Sequence, residues 1–453
     1  MGELLTRYNK IISWLVIVFA LMILYAVMMQ SYIVALVLFG LFLCPFILYI
    51  VCRWPDFGLF ISMGLSFIPV SEDRVNVLLC IIVIILNVYI LLKKSIKKRL
   101  GIITLSWLII AINCILTMSK WLNLQQAIKG VYLYILLPYT IYVFINSELI
   151  DSHGVGRILK KYIPAVVVFS LIQVLWVYVF NINISVLDRM SMHSGFDVGW
   201  AYSNTLAAIL ALFFAALYAN PILNTKNVLL RGAVILLMSM CVIVCLLIVS
   251  RGALLSLVIG FTVFQSVILL IDKKLSLRKL LLISSAIITA GMVLFSNYIS
   301  AVIDRFVHLK IDASFQARLY VVFDSYKQMV KQPFIGAGPN QYQYQDFYEL
   351  LLDPHNVFLR YGVDFGVISM VAILTILIYP IIRIYRLYKI DKGFAREVVS
   401  RYLFPVSVAI VNSQFEAAIT KYNYGIIFWI YYALMNREIS KSFESLAKCN
   451  VAR

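Results

Sequence analysis

The sequence has unusually few charged residues. Only 13% of its 453 residues are charged and 63% are hydrophobic, whereas soluble domains are usually about 25% charged. The mean hydropathy is +0.94, and apolar runs long enough to cross a bilayer recur along the chain. The sequence also has no Gly-rich phosphate loop, no HExxH and no CxxC. We therefore predict an all-α polytopic membrane protein and find no support for a nucleotide-binding or nucleic-acid-binding fold.

Cysteine offers little chemistry. The seven cysteines fall in apolar spans or in segments that we place in the cytoplasm, so no disulfide framework is expected. Cys241 and Cys245 lie one helical turn apart but lack His or carboxylate neighbours, which favours core packing over metal binding. The sequence predicts no metal site and no cofactor.

The apolar runs predict about fourteen transmembrane helices (12–14), since roughly 20 residues cross the hydrocarbon core. Their approximate bounds are 11–29, 32–51, 57–70, 75–92, 101–118, 128–145, 161–180, 200–219, 232–250, 252–271, 279–297, 362–382, 402–419 and 424–436. The third and the last of these are short, and each is either a full span or a re-entrant segment. For the last there is a further alternative, a helix that continues past Arg437. The whole chain, 1–453, is predicted to be one transmembrane domain.

The distribution of basic residues predicts the orientation. With the N-terminus in the cytoplasm, more than two thirds of the 39 Lys and Arg residues lie in cytoplasmic segments, as the positive-inside rule requires. Both termini are then cytoplasmic. Much of the net charge of +18 is accounted for by the cytoplasmic Lys and Arg residues that set the orientation, not by a ligand-binding patch. Two outer segments stand out, a shorter loop at 181–199 and a longer one at 298–361.

Arg251 is the only charged residue between Gly232 and Ile271. As one helix that run would be about 60 Å long, twice the hydrocarbon core, so it must fold as two spans with Arg251 at their outer turn. There the guanidinium either snorkels to lipid headgroups or binds a phosphate, whose oxygens match its fork.

The long outer loop contains two further candidates. Apolar residues at helical spacing predict an amphipathic helix over 315–331, ended by Pro333, with its apolar stripe on the membrane domain. Arg318 in this helix is either a solvated charge or a second phosphate ligand. His355 follows Pro354 where the chain re-enters the membrane, and is either a loop histidine with local hydrogen bonds or a general base.

Three weaker candidates complete the set. Asn204 lies near the outer end of its span, where it either orients a sugar or satisfies a helix carbonyl. Arg189 and Arg360 are outer arginines, which run against the positive-inside trend and therefore raise the question of an anionic ligand.

Four segments in chain order carry a resemblance to a known family. They are GWAYSNTLA at 199–207, SRGALLSL at 250–257, QARLYVVFDSYKQMVKQPFIGAGPNQY at 316–342 and HNVFLRYGVDFG at 355–366. Together they resemble the O-antigen ligase and O-antigen polymerase superfamily of bacterial surface-polysaccharide assembly, over roughly the C-terminal two thirds of the chain.

The resemblance implies an inverting, metal-independent glycosyltransferase that uses a glycan on undecaprenyl pyrophosphate. Arg251 and Arg318 would bind the pyrophosphate leaving group, His355 would orient or deprotonate the acceptor hydroxyl, and Asn356 would position His355. The implied location is the bacterial inner membrane with the active site on the periplasmic face, where the long loop carries part of it.

We expect a repeat-unit polymerase, whose acceptor is the non-reducing end of another lipid-linked repeat unit. The alternative is a ligase, whose acceptor is the lipid A core. A lipid-linked sugar flippase is a third possibility, which charge-poor spans and a long outer loop disfavour. The expected partners are the lipid-linked donor and acceptor, the lipid bilayer, and a chain-length regulator and a flippase, with no nucleic acid among them.

Overall fold

A computed structural model describes Tyr49 and residues 53–67, 101–147, 149–181, 201, 203–248, 250–272, 313–342 and 354–451. Throughout this part of the chain the secondary structure is helical, with no strand. The predicted spans 11–29, 75–92 and 279–297 lie outside the described residues, as does nearly all of the span 32–51 and of the loop 181–199.

We number the principal helices in chain order. The first seven are α1 (Pro55–Leu65), α2 (Ile102–Leu116), α3 (Leu124–Asn146), α4 (Ser152–Val177), α5 (Ser203–Tyr218), α6 (Val228–Ile248) and α7 (Arg251–Asp272). The remaining six are α8 (Ala313–Lys331), α9 (Val357–Phe365), α10 (Val367–Ile390), α11 (Lys392–Val398), α12 (Phe404–Glu416) and α13 (Tyr422–Val451).

Six helical segments of the described residues are long and apolar enough to cross a membrane, namely α3, α4, α5 together with the 3₁₀ turn that follows it (Ser203–Asn224), α6, α7 and α10. The prediction of a helical, multi-pass membrane protein is confirmed, whereas the total of about fourteen spans and the orientation stay predictions. Two predicted spans, 57–70 and 101–118, are helices of only 11 and 15 residues, shorter than the roughly 20 residues that span a bilayer.

One predicted boundary needs correction, and for the last span the structure supports the alternative of a helix that continues past Arg437. The span 362–382 is interrupted at Gly366, whose φ of +89° ends α9 and starts α10 at Val367. The span 424–436 belongs to a helix of 30 residues that runs past Arg437. Hydropathy marks where apolar residues stop, but a helix continues through charged residues as long as its hydrogen bonds are made.

Three prolines explain why several helices change pitch. The π-helical turns Tyr132–Leu136, Ile158–Tyr162 and Val399–Leu403 each end two residues before a proline, at Pro138, Pro164 and Pro405. Proline has no N–H and its ring clashes with the carbonyl one turn back, so a wider turn just before it relieves the clash without breaking the helix.

The centre of the bundle is formed by α5 and the first half of α13. Nearly every residue of α5 is buried, and Trp429, Tyr431 and Tyr432 of α13 are fully buried. The Tyr431 hydroxyl donates a hydrogen bond of 3.2 Å to the carbonyl of Ala216 in α5. A helix that is apolar on every side has to be surrounded, and the other helices pack around this pair.

Helices α7 and α12 run antiparallel in close contact. A Cβ atom on Gly260 would lie only 2.6 Å from Val408 Cγ2, and one on Gly252 only 3.2 Å from Phe415 Cβ. Small residues permit such close helix packing. The beginning of α7, with Arg251, is thereby placed beside the end of α12.

The opposite end of the bundle is tied by charged side chains. Arg157 donates two hydrogen bonds to the buried carboxylate of Asp56, at 2.7 and 2.8 Å, joining α4 to α1. Arg437 is buried and donates to the carbonyls of Ile145, at 3.0 Å, and Ile150. It therefore satisfies carbonyls at the end of α3 that have no partner within the helix.

Candidate functional site

A cavity of about 290 Å³ lies at the end of the bundle where α7 begins and α12 ends. Its polar lining includes Arg251, Arg318, His355, Asn356 and Gln414. Apolar side chains of α7, α8, α9 and α12 form the rest of the wall. The structure thus brings together four residues that the sequence analysis singled out, from positions up to about a hundred residues apart.

Arg251 is the first residue of α7, directly after the break that separates α6 from α7. The apolar run is two helices rather than one, as its length required. Both are apolar enough to span a membrane, so Arg251 stands at a helix start and is half-buried rather than enclosed. Because α7 begins at Arg251, next to the cavity, the guanidinium can line the cavity wall.

Arg318 and His355 are joined by a residue that the sequence analysis did not select, Glu416. Arg318 Nη2 lies 2.8 Å from Glu416 Oε1, and His355 Nδ1 lies 3.8 Å from Glu416 Oε2. The carboxylate is only 11% exposed, against 31% for Arg318 and 38% for His355. Glu416 ends α12, where the helix dipole disfavours an anion, and the guanidinium of Arg318 offsets that unfavourable interaction.

His355 and Asn356 directly precede α9. The Asn356 side chain accepts hydrogen bonds from the backbone N–H groups of Phe358 and Leu359, at 2.9 and 3.2 Å, and so caps the helix. It also donates to Gln414 Oε1 at 2.9 Å. Asn356 therefore fixes the start of α9 on α12, and with it the backbone that carries His355.

Helix α9 also explains the spacing between the pair His355-Asn356 and Gly366 in the segment HNVFLRYGVDFG. Between Asn356 and Gly366 lie nine residues, and all nine form α9. Asn356 is its N-cap and Gly366, with a φ of +89°, its C-cap. A left-handed residue at the end of a helix is most often glycine because a Cβ is strained there. The motif thus encodes a capped helix of fixed length between the cavity and a span.

The glycine turn at 335–340 packs on the far end of α9. Ala337 and Gly338 donate backbone hydrogen bonds to the carbonyls of Val363 and Asp364, at 2.8 and 2.9 Å. Gly336 approaches so closely that a Cβ would lie 2.5 Å from the nitrogen of Phe365 and overlap the Val363 carbonyl. The turn therefore needs a residue with no side chain at position 336.

Lys120 holds this turn from the other side. Its ammonium group donates to Gln332 Oε1 at 2.8 Å and to the carbonyls of Ile335 and Gly336, both at 3.2 Å. Burial lowers the pKa of Lys120 below its usual value, because the charged form loses its hydration. The three oxygen acceptors replace part of that hydration.

Replacing Gly336 with alanine is expected to lower the free energy of unfolding by about 1–3 kcal/mol, the usual cost of forcing extra atoms into a packed site. Thermal unfolding of the purified protein in detergent measures the effect. Gly232→Ala is the matched control, because a Cβ there meets no atom within 4 Å and alanine is the better helix former. Equal unfolding temperatures for the two variants would contradict the close packing of the turn.

Of the other predicted site residues, Arg360 and Asn204 are described, and neither lines the cavity. Arg360 is 8% exposed on its side chain, lies 3.6 Å from Asp364, donates to Asn340 and stacks over the Tyr134 ring. These contacts tie α9 to the glycine turn and to α3, so the Arg360 side chain holds neighbouring parts of the fold together. Asn204 is the second residue of α5, half-buried and away from the cavity wall. Arg189 lies outside the described residues.

Glu416 could have been found by the argument that found Arg251. It is the only charged residue between Arg401 and Lys421, so it is the lone charge of a predicted span. Gln414, which holds Asn356, carries no comparable signal, because an uncharged polar side chain near the end of a span is common.

The arrangement offers phosphate ligands and a proton acceptor in one place. Two guanidinium groups can bind phosphate oxygens through their forked donors, and an imidazole can accept a proton. Glu416 and His355 are the metal-capable side chains at this site. Among the residues that the structure describes, no three His, Cys, Asp or Glu side chains converge as a metal site.

Residues 233–374 match a family model described as O-antigen ligase. No curated protein matches the chain. The matched segment contains α7, α8, α9 and the glycine turn, and with them Arg251, Arg318, His355 and Asn356. Glu416 and Gln414 lie beyond its end. Over residues 233–374 the chain is thereby confirmed as similar to the O-antigen ligase and polymerase superfamily.

Proposed function

We propose that this protein is an inverting glycosyltransferase that moves a glycan from undecaprenyl pyrophosphate to the non-reducing end of another lipid-linked repeat unit. The observation that carries the proposal is the convergence of Arg251, Arg318 and His355 on one cavity within the family-matched segment. The reaction requires positive charge at the leaving group, which the two arginines supply, and a base at the acceptor, which the histidine supplies.

The leaving group requires positive charge. When the bond between the anomeric carbon and the pyrophosphate oxygen breaks, negative charge develops on that oxygen. Arg251 and Arg318 would stabilise it, and preorganised donors are most effective in a site that excludes water. On this proposal the two guanidiniums supply the charge that a divalent ion supplies in other phosphate-transfer sites, and the reaction is metal-independent.

The acceptor requires a base. Its hydroxyl oxygen forms the new bond to the anomeric carbon from the face opposite the pyrophosphate, which inverts the configuration. His355 would take the hydroxyl proton, and the pyrophosphate-linked lipid leaves as the anion. Glu416, 3.8 Å from His355 Nδ1, would stabilise the imidazolium that forms and thus act as a positioning residue.

The pair between Arg318 and Glu416 gives Arg318 a partner in the absence of substrate. Its 2.8 Å contact means that a pyrophosphate must compete with the carboxylate for the guanidinium. A phosphate group offers more acceptor oxygens and more charge than one carboxylate. If Arg318 moved from Glu416 to the substrate, the Glu416 carboxylate would still lie beside His355 and could stabilise the imidazolium that forms there.

A ligase that transfers the glycan to the lipid A core is the second candidate. The description of the matched family, O-antigen ligase, favours it. The long outer loop and the second outer loop at 181–199 favour the polymerase. A flippase would need polar groups inside several spans, and the charged groups of the described spans gather at their ends instead.

The proposal includes the setting of the protein. We place it in the bacterial inner membrane as a single transmembrane domain, with both termini in the cytoplasm and the cavity on the periplasmic face. The distribution of basic residues supports this orientation. The loop 298–361 would carry part of the active site, and a chain-length regulator and a flippase are the expected partners.

Deletion of the gene followed by gel electrophoresis of surface polysaccharide tests the function. Loss of a polymerase leaves single repeat units on the lipid A core, because ligation continues without polymer. Loss of a ligase leaves no repeat units on the core, and lipid-linked polymer accumulates. An unchanged ladder in the deletion strain, with no other polysaccharide altered, would overturn both candidates.

A further inference from the structure

The amphipathic helix α8 presents its large apolar side chains away from the bundle. Tyr320, Phe323, Tyr326 and Val330 are 60–63% exposed, whereas Val321 and Met329 are buried. The predicted apolar stripe is therefore divided: Leu319 and Val322 line the cavity and Met329 is buried, whereas these four side chains face outward. At 100° per residue the four exposed side chains form one continuous face of the helix.

Both ends of α8 are held by other helices of the bundle, one of them the span α10 and the other α12, which lies in the predicted span 402–419. At its C-terminal end, the carbonyl of Pro333 accepts a 2.8 Å hydrogen bond from the N–H of Val367, the first residue of the span α10. Near its N-terminal end, Arg318 contacts Glu416 at the end of α12. About 20 Å of helix lies between Arg318 and the last residue, Lys331, so two ties at the predicted membrane boundary would lay the axis of α8 along it.

We propose that α8 is an interfacial anchor whose exposed apolar face lies in the headgroup region of the bilayer, in contact with phospholipid. Phe334, three residues after the helix, is a further large apolar side chain that is 69% exposed. Tyrosine is enriched at the membrane–water interface because its ring is apolar and its hydroxyl is polar. Amphipathic helices with such a face lie in the plane of the interface.

The charges of α8 fit the same partner. Lys331 is exposed at the edge of the apolar face, and Lys327 is exposed within it, between Phe323 and Tyr320. A lysine in that position buries its methylene chain beside apolar groups and extends its ammonium group to the phosphates of anionic lipids. Arg318 lies on a different side of the helix, at the cavity. An anchored α8 would therefore hold Arg318 at the depth of lipid phosphates, whatever substrate the cavity takes.

Photocrosslinking in nanodiscs tests the anchor. The full-length protein, with benzoylphenylalanine at Phe323, is reconstituted in phosphatidylethanolamine and phosphatidylglycerol that carry a clickable acyl chain. Aromatic replacement of an exposed aromatic residue keeps the fold intact, and Tyr326 provides a second, equivalent position. Leu229, on the span α6 and 85% exposed, is the lipid-facing reference. Ala447 lies about 37 Å along α13 from its start, beyond the hydrocarbon core, and is the reference outside the lipid.

The expected result is a phospholipid adduct at Phe323 and Tyr326 with a yield comparable to Leu229 and several-fold above Ala447. Adducts no stronger than at Ala447 would overturn the proposal. Crosslinked dimers of the chain at these positions would overturn it as well, since they would assign the face to a second copy of the protein. Neither outcome depends on the reaction that the cavity performs.

Discussion

Alanine at position 251 or 318 is expected to lower the rate of glycan transfer by roughly 10²–10³-fold, the usual loss when one preorganised donor to a developing anion is removed. Both guanidiniums line the same cavity, and on our proposal both bind the pyrophosphate as it leaves. The rate with purified protein and a lipid-linked donor is the measurement, and membrane insertion should stay unchanged. The unfolding temperature should also stay unchanged for Arg251→Ala, whereas Arg318→Ala should lower it somewhat, because Glu416 loses its ion-pair partner.

Two further variants make the result specific. Arg231→Ala removes an exposed arginine at the other end of α6 and should leave the rate unchanged. Lysine at position 251 or 318 keeps the charge but loses the forked geometry, so we expect it to restore only part of the activity. Wild-type rates for both alanine variants would show that the cavity does not bind the leaving group.

His355→Ala is expected to slow transfer by about 10²–10⁴-fold, the contribution typical of a general base. The variant should fold, because the cap of α9 is made by Asn356 and not by His355. His153→Ala, which removes an exposed histidine at the start of α4, is the matched control. Full activity of His355→Ala at neutral pH would remove His355 from the mechanism.

Glu416→Gln separates positioning from catalysis at the same step. The variant keeps the shape of the side chain but removes the negative charge near His355 Nδ1, which on our proposal stabilises the imidazolium that forms. We therefore expect kcat to fall while the KM for the lipid-linked donor changes little, and Glu416→Asp, which restores the charge, to recover part of the rate. A variant that only loosened the fold would not be rescued by aspartate.

The hydrophobic pattern predicted the helical elements well because it depends on local composition. The run around Arg251 was too long for one span, and the structure divides it into α6 and α7 at that residue. The bounds of α8, Ala313–Lys331, lie within two residues of the predicted 315–331. The spacing from Asn356 to Gly366 likewise corresponds to a single helix, α9.

The direction in which α8 faces could not be predicted from its own periodicity. An apolar stripe indicates a surface that avoids water, but a protein core and a lipid interface both provide one. The side that packs on the bundle carries Val321, Ser325, Gln328 and Met329. Contacts from Val367 and Glu416, which are distant in sequence, decide which side is buried.

Arg318 and Arg360 show the same limit for single residues. Both are outer arginines by the predicted topology, yet Arg318 lines the cavity while Arg360 is enclosed by Asp364, Asn340 and Tyr134. The sequence contains nothing at either position that separates a ligand from a structural cation. The difference arises from which neighbours the fold supplies.

By itself the sequence determined that this is a multi-pass helical membrane protein, because a helix needs enough apolar residues to cross a bilayer. Local physics also selected Arg251, a lone charge in an apolar run, whereas the roles of Arg318 and His355 came from the resemblance to the O-antigen ligase and polymerase superfamily. Only the tertiary structure decided that these three residues share a cavity and that Glu416 joins two of them. It also decided that α8 faces outward, because those relations depend on contacts between segments far apart in the chain.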